Sequence, residues 1–170
     1  MTDTKLDQER TDLLDTLTKH RWFLRHTVEG LSEEQAALSP TASELCVGGI
    51  VKHVAFTEAG WADFVEQGPT ALAMDESSYA EHTNSFRMLE GDTVASVLAH
   101  YEEVAARTDA RVASLPDLDA SHPLPEAPWF EPGARWSARR VFLHILAETA
   151  QHAGHADILR ETIDGQKTMG

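Results

Sequence analysis

Four long stretches of the chain repeat apolar residues at steps of three, four and seven, and this period constrains the fold more than any other feature, because side chains so spaced share one face of an α-helix. From about Thr4 to Val28 the stripe is Leu6, Leu13, Leu17, Leu24 and Val28. From about Val47 to Glu66 it is Ile50, Val54, Thr57, Trp61, Phe64 and Val65, and Gly68-Pro69 supplies the stop. From about Asp92 to Ser114, with Asp92 or Thr93 as the cap, it is Val94, Val97, Leu98, Tyr101, Val104, Ala105, Thr108 and Val112. The last stretch begins after Trp136 with Ser137 as the cap and runs about 27 residues to Asp164, with Gly165 in the stop position. Strand alternation is nearly absent. Four amphipathic helices of this length predict an all-α, four-helix bundle. The connections between the second and third helices and between the third and fourth are too long for tight turns, so short helices or a cover over one end of the bundle are expected there.

Composition sets limits on this bundle. With 170 residues, 42% of them hydrophobic, a single domain over 1–170 is expected, large enough to need neither disulfide nor metal for stability alone. Against 28 acidic side chains stand 14 basic ones, a net charge of −14 that repels nucleic-acid phosphates and anionic lipid surfaces. The opening MTDTKLDQERTD has no basic-then-apolar pattern and no run of about 18 apolar residues occurs, so neither signal peptide nor membrane span is predicted and a cytoplasmic protein is expected. Cys46 is the single cysteine, which excludes an internal disulfide and a zinc site of several thiolates. A metal would have to be held by imidazole and carboxylate, and nine histidines are available.

Bundle metal sites are built from side chains that project inward from facing helices, so the informative positions are metal-binding residue types on apolar stripes. The fourth helix provides them. Its stripe of Val141, Ile145, Ala156, Leu159 and Ile163 places Glu148 and His152 at mid-face, four apart and stacked one above the other. His144 and His155 fall about 60° to 80° from the centre, toward the border, where they could line a site. A third ligand is expected from another helix: His53, at the border of the second stripe, or His20, between Leu17 and Leu24 of the first. His26, His82, His100 and His122 have weaker claims. For His20 and His100 the bland reading is a hydrogen-bonded core histidine. For Glu148 and His152 it is an i,i+4 hydrogen bond, although a buried carboxylate with no cation is costly. Trp22, Phe23, Phe56, Trp61 and Phe64 are read as core, and Trp129-Phe130 as a loop anchor or pocket cover. No Ser-His-Asp order, phosphate-binding glycine loop or H-E-x-x-H motif occurs.

The segments GLSEEQAALSP (30–40), GGIVKHVAFTEAGW (48–61) and ETAQHAGHADILRETIDG (148–165) together resemble the DinB/YfiT-like superfamily, most closely an actinobacterial branch related to mycothiol-dependent isomerase and S-transferases. The resemblance implies a four-helix bundle with a divalent metal, zinc or nickel, held near one end by a histidine of the second helix and two residues four apart in the fourth. Carried onto this chain, these are His53, Glu148 and His152; His144, His155, Thr57 and Trp61 are expected to line the pocket or to stand behind the ligands. Many relatives have histidine in place of Glu148, whereas the mycothiol-dependent isomerase has glutamate, and His155 replaces a glutamine common elsewhere. The implied activity is transfer of a mycothiol-like thiol to an electrophilic small molecule, since an open position on a three-ligand ion can take a thiol and deprotonate it near neutral pH. The alternatives are metal-assisted hydrolysis, in which the open position takes water, and a non-catalytic metal- or ligand-binding stress protein. A homodimer is also expected from the resemblance.

Overall fold

The computed structural model describes residues 6–73 and 75–168. In chain order, these form α1 (Gln8–His26), α2 (Glu33–Ala37), α3 (Val47–Gln67), a 3-10 turn (Gly68–Leu72), α4 (Glu76–Ser85), α5 (Val94–Ser114), the strands β1 (Ser121–Pro123) and β2 (Arg135–Ser137), and α6 (Ala138–Asp164). The ends of the long helices follow their local chemistry. The Asp7 carboxylate, Thr93 hydroxyl and Ser137 hydroxyl accept from the backbone N–H groups of Arg10, Ser96 and Arg140, and Gly165 closes α6 at φ +81°. Of the expected starts, Thr4 lies outside the described residues, and the third helix begins at Val94 because Thr93, not Asp92, makes the cap.

The four long helices make a bundle in which α1 packs on α5 and α6, and α3 likewise packs on α5 and α6. The first two long helices are thus diagonal to each other. The core is in two parts. One gathers Leu13 and Leu17 of α1, Phe64 of α3, Val112 of α5 and Ile145 of α6; the other gathers Leu24, Ile50, Tyr101 and Leu159 from the same four helices. Between them runs a polar waist, where Arg21 of α1 and Glu58 of α3, at 4% and 1% exposure, pair across the diagonal. Thr108 and Thr149 are buried with them and bond back to the carbonyls one turn earlier, at Val104 and Ile145. Among the described residues, no helix is long and apolar enough to cross a membrane.

The long connections carry short elements, as expected of them, but also a two-stranded antiparallel ladder pairing His122 with Trp136 that the periodicity did not predict. Three-residue strands are too short for alternation to register. Behind α4 the chain presses on α3 so closely that a Cβ at Gly49 would lie 2.0 Å from the Phe86 carbonyl oxygen. Glycine there is what admits the α4 end against α3. One aromatic expectation fails: Trp22 is 52% exposed and stacks on His26 along the outside of α1. In the loop before β2, Trp129 is 70% exposed while Phe130 packs against the core beside Trp61 and Trp136.

Candidate metal centre

His53, on the second turn of α3, is 5% exposed. The border position expected for it on its own stripe is closed over by α4: the Phe86 ring stacks on the imidazole at 3.6 Å between centroids, with the His82 ring edge-on at 5.4 Å. The Ser85 hydroxyl lies 2.9 Å from His53 Nδ1 and donates to the His82 carbonyl at 2.6 Å. A hydroxyl has one proton, and that proton is on the carbonyl, so Ser85 accepts from Nδ1–H of His53. This fixes the tautomer and leaves Nε2 as an acceptor, which the Thr57 hydroxyl approaches at 3.4 Å.

Glu148 and His152 lie on α6 across the α3–α6 seam, with side chains 28% and 13% exposed. They are therefore not at mid-face, as the stripe predicted. Thr149 and Ala153 take the buried positions, and the pair sits one residue round, at the border facing α3. The reason is the diagonal waist: α6 turns Thr149 toward the bundle axis, which rotates Glu148 and His152 to the seam. There they meet His53, whose ring centroid is 5.0 Å from that of His152. One ligand atom from each of His53, Glu148 and His152 lies within 4.8 Å of the others. The cluster stands at mid-length of α6 and on the second turn of α3, with α4 packed against α3 beside it.

The electrostatics suit a cation. Burial, with the His152 and His82 rings, pushes His53 down to about 3, so the imidazole is neutral at physiological pH. The His152 imidazole beside it, with the neighbouring histidines, holds Glu148 below the usual carboxylate range despite partial burial. Two neutral imidazoles and one ionised carboxylate are the forms in which these residues bind metal. His152 Nε2 faces Glu148 at 3.6 Å, while its Nδ1 is buried with no hydrogen-bond partner among the described residues. Such an orphaned nitrogen costs about 1–3 kcal/mol, and the donor set suits zinc, nickel and iron. Donors on one zinc lie about 3.4 Å apart. The cluster therefore fits an ion after small side-chain rotations.

His144 joins the rim, 3.6 Å from Glu148 through Nε2 and edge-on to Trp61 and Trp136 at 4.7 and 5.0 Å. Burial lowers its proton affinity. The Thr57 hydroxyl is 3.4 Å from His53, Trp61 meets the ring of His144, and His155 is exposed with its ring 5.5 Å from His152. His20 points away, against Phe23 on α1. Ser85 and the Phe86 ring were missed, because only the fold of the 67–91 connection brings them to His53. Cys46 is buried at the start of α3 and takes no part in the cluster.

The fold and this cluster define a class: a four-helix bundle with a two-histidine, one-carboxylate donor set on the seam between its second and fourth long helices. The chain belongs to the mycothiol S-transferase family, whose pattern it matches over residues 12–165. No curated protein matches it at a significant level. Among solved structures it is similar to YfiT from Bacillus subtilis, described as "a probable metal-dependent hydrolase with an unusual four-helix bundle topology", at a TM-score of 0.65 and 16% identity, over 94% of this chain and 90% of that one. That likeness is one of fold.

Proposed function

We propose that the protein is a divalent-metal-dependent enzyme that transfers a low-molecular-weight thiol of the mycothiol type to an electrophilic small molecule, with His53, Glu148 and His152 as ligands. The observation that carries the reading is the convergence of those three donors within 4.8 Å on the seam of a bundle belonging to this family. Zinc or nickel, when bound, supplies the Lewis acidity that lets a thiol lose its proton near neutral pH.

The chain's own residues do the rest. Ser85 holds the His53 ring with Nε2 turned to the cluster, and the Phe86 ring covers its face against water. Glu148 supplies the one negative charge, and with two neutral imidazoles leaves a divalent site with net positive charge, which favours an anionic thiolate over a thiol. Partial exposure of Glu148 and His144 leaves the approach open from the side lined by Trp61 and Trp136. No protein thiol is needed, and Cys46 is buried elsewhere.

The test is turnover of a chromogenic aryl halide by the metal-loaded protein with and without mycothiol, beside the absorption spectrum of the cobalt-substituted protein as thiol is added. Thiol-dependent turnover and a thiol-induced spectral change are expected. Turnover that needs no thiol would instead support the hydrolytic reading that the YfiT description suggests. Failure of every physiological thiol to alter the cobalt spectrum, with no turnover, would leave metal binding without catalysis.

A further inference from the structure

Arg140 lies on α6 one turn before His144 and two before Glu148, and its guanidinium sits over the Trp136 ring at 4.6 Å. Trp136 in turn touches His144, whose Nε2 is 3.6 Å from Glu148, so an unbroken line of contacts joins the guanidinium to the proposed metal cluster. Several other cations on the long helices are held by carboxylates: Arg21 by Glu58 and Asp109, Arg111 by Asp63 and Glu66, Arg139 by Glu9 and Asp119, and Lys52 by Asp92. Arg140 is exposed, and among the described residues its guanidinium has neither a carboxylate nor a hydrogen-bond partner. Stacking on an indole face holds the guanidinium plane while leaving its edge N–H groups free for a bidentate acceptor.

In a chain of net charge −14, an anionic small molecule is repelled nearly everywhere, so a free, oriented guanidinium beside the cluster selects strongly by position. A single positive charge in that field matches a monoanion of planar, forked shape better than a phosphate dianion, which would need a second cation. We propose that Arg140, held over Trp136, is a carboxylate-binding group at the outer end of the line of contacts that runs through Trp136 and His144 to the cluster, and that the electrophilic co-substrate is a carboxylate-bearing small molecule. The proposal deepens the enzyme reading and rests on it for the meaning of the neighbouring site; binding of the anion itself does not require the metal.

The test uses the full chain with 15N-labelled tryptophan and follows the indole signals during titration with benzoate, with the neutral isostere benzamide, and with inorganic phosphate, in the parent, Arg140→Gln and Arg140→Lys. Metal content is measured on the same samples, and a circular-dichroism melt confirms that each variant is folded. Benzoate is expected to shift the Trp136 signal saturably and benzamide is not, with benzoate affinity falling about tenfold or more in Arg140→Gln and partly kept in Arg140→Lys. Equal responses to benzoate and benzamide, no saturable response to benzoate, or benzoate binding unchanged in Arg140→Gln would overturn the proposal. Phosphate binding tighter than benzoate would overturn the assignment to carboxylate. If the parent takes no metal yet benzoate shifts Trp136, the enzyme reading fails while the anion site stands; metal bound with no benzoate response fails the anion site alone.

Discussion

Two polar clusters are built on α3 little more than a turn apart, and they are completed in opposite ways. Glu58, at 1% exposure, has its cation inside the chain: Arg21 meets both carboxylate oxygens and uses its remaining nitrogen on Asp109, 2.7 Å away. Burial opposes the Arg21 charge, yet the two carboxylates raise its proton affinity above the ordinary value. Among the described residues, His53, Glu148 and His152 bring donors together with no lysine or arginine paired to them, and a buried His152 nitrogen has no hydrogen-bond partner. The fold thus supplies a charge partner where the bundle needs one for its own integrity. At the seam the proposed metal ion would take that place.

If the waist is a closed structural pair, breaking it should give the largest effect on folding. Arg21→Met leaves Glu58 buried and unpaired, and a loss of about 3–5 kcal/mol is expected in chemical denaturation, with much of it regained in Arg21→Met/Glu58→Leu. A single-variant loss under about 1 kcal/mol would remove the distinction between the two clusters.

The open cluster should respond to pH. An unfolded His53 takes a proton near 6.5, whereas the folded one resists protonation down to about 3. The unfolded chain therefore binds the extra proton between these limits. Stability of the metal-free protein is fully present above 6.5 and is lost as pH falls toward 3, this histidine contributing a slope of up to about 1.4 kcal/mol per pH unit. The His53→Asn variant, measured in parallel by denaturation at each pH, should lack that contribution; identical slopes in parent and variant would contradict it.

At neutral pH the seam should separate metal affinity from stability. Glu148→Gln is expected to change the metal-free protein by less than about 1 kcal/mol while lowering zinc affinity more than about 100-fold by competition titration. The smallest shift is expected one contact further out. Ser85→Ala should weaken zinc binding about 10- to 100-fold by freeing the His53 tautomer, and Ser85→Thr, which keeps the hydroxyl, should restore most of it. Equal affinities in Ser85→Ala and the parent would show that the Ser85 bond does not set the ring.

The sequence made much of this legible, unevenly and for identifiable reasons. Ser137 and Gly165 bound α6 because cap and stop chemistry is local, and the four-residue step from Glu148 to His152 survives any rotation of the helix. Rotation itself was not legible: the apolar stripe put that pair at mid-face, but Thr149 occupies the axis because it packs beside a waist that spans two other helices. Arg21 and Glu58 escaped notice because stripes are read from apolar residues, and charged side chains that pair through a core look like surface. His53 appeared to be a border residue because its cover, Phe86 and Ser85, arrives from a connection whose path depends on the close approach at Gly49. On spacing, His53 is the better candidate for a third ligand and His20 its competitor, and the family resemblance singles out His53.

One divalent ion is proposed to complete the seam, and none the waist. Elemental analysis of untagged protein tests it most directly, run on the parent beside His53→Ala, His152→Ala and Arg21→Met. About one equivalent of zinc or nickel is predicted in the parent and in whatever fraction of Arg21→Met remains folded, with little in either histidine variant. A metal-free parent that cannot be loaded, or histidine variants that keep a full equivalent, would contradict it.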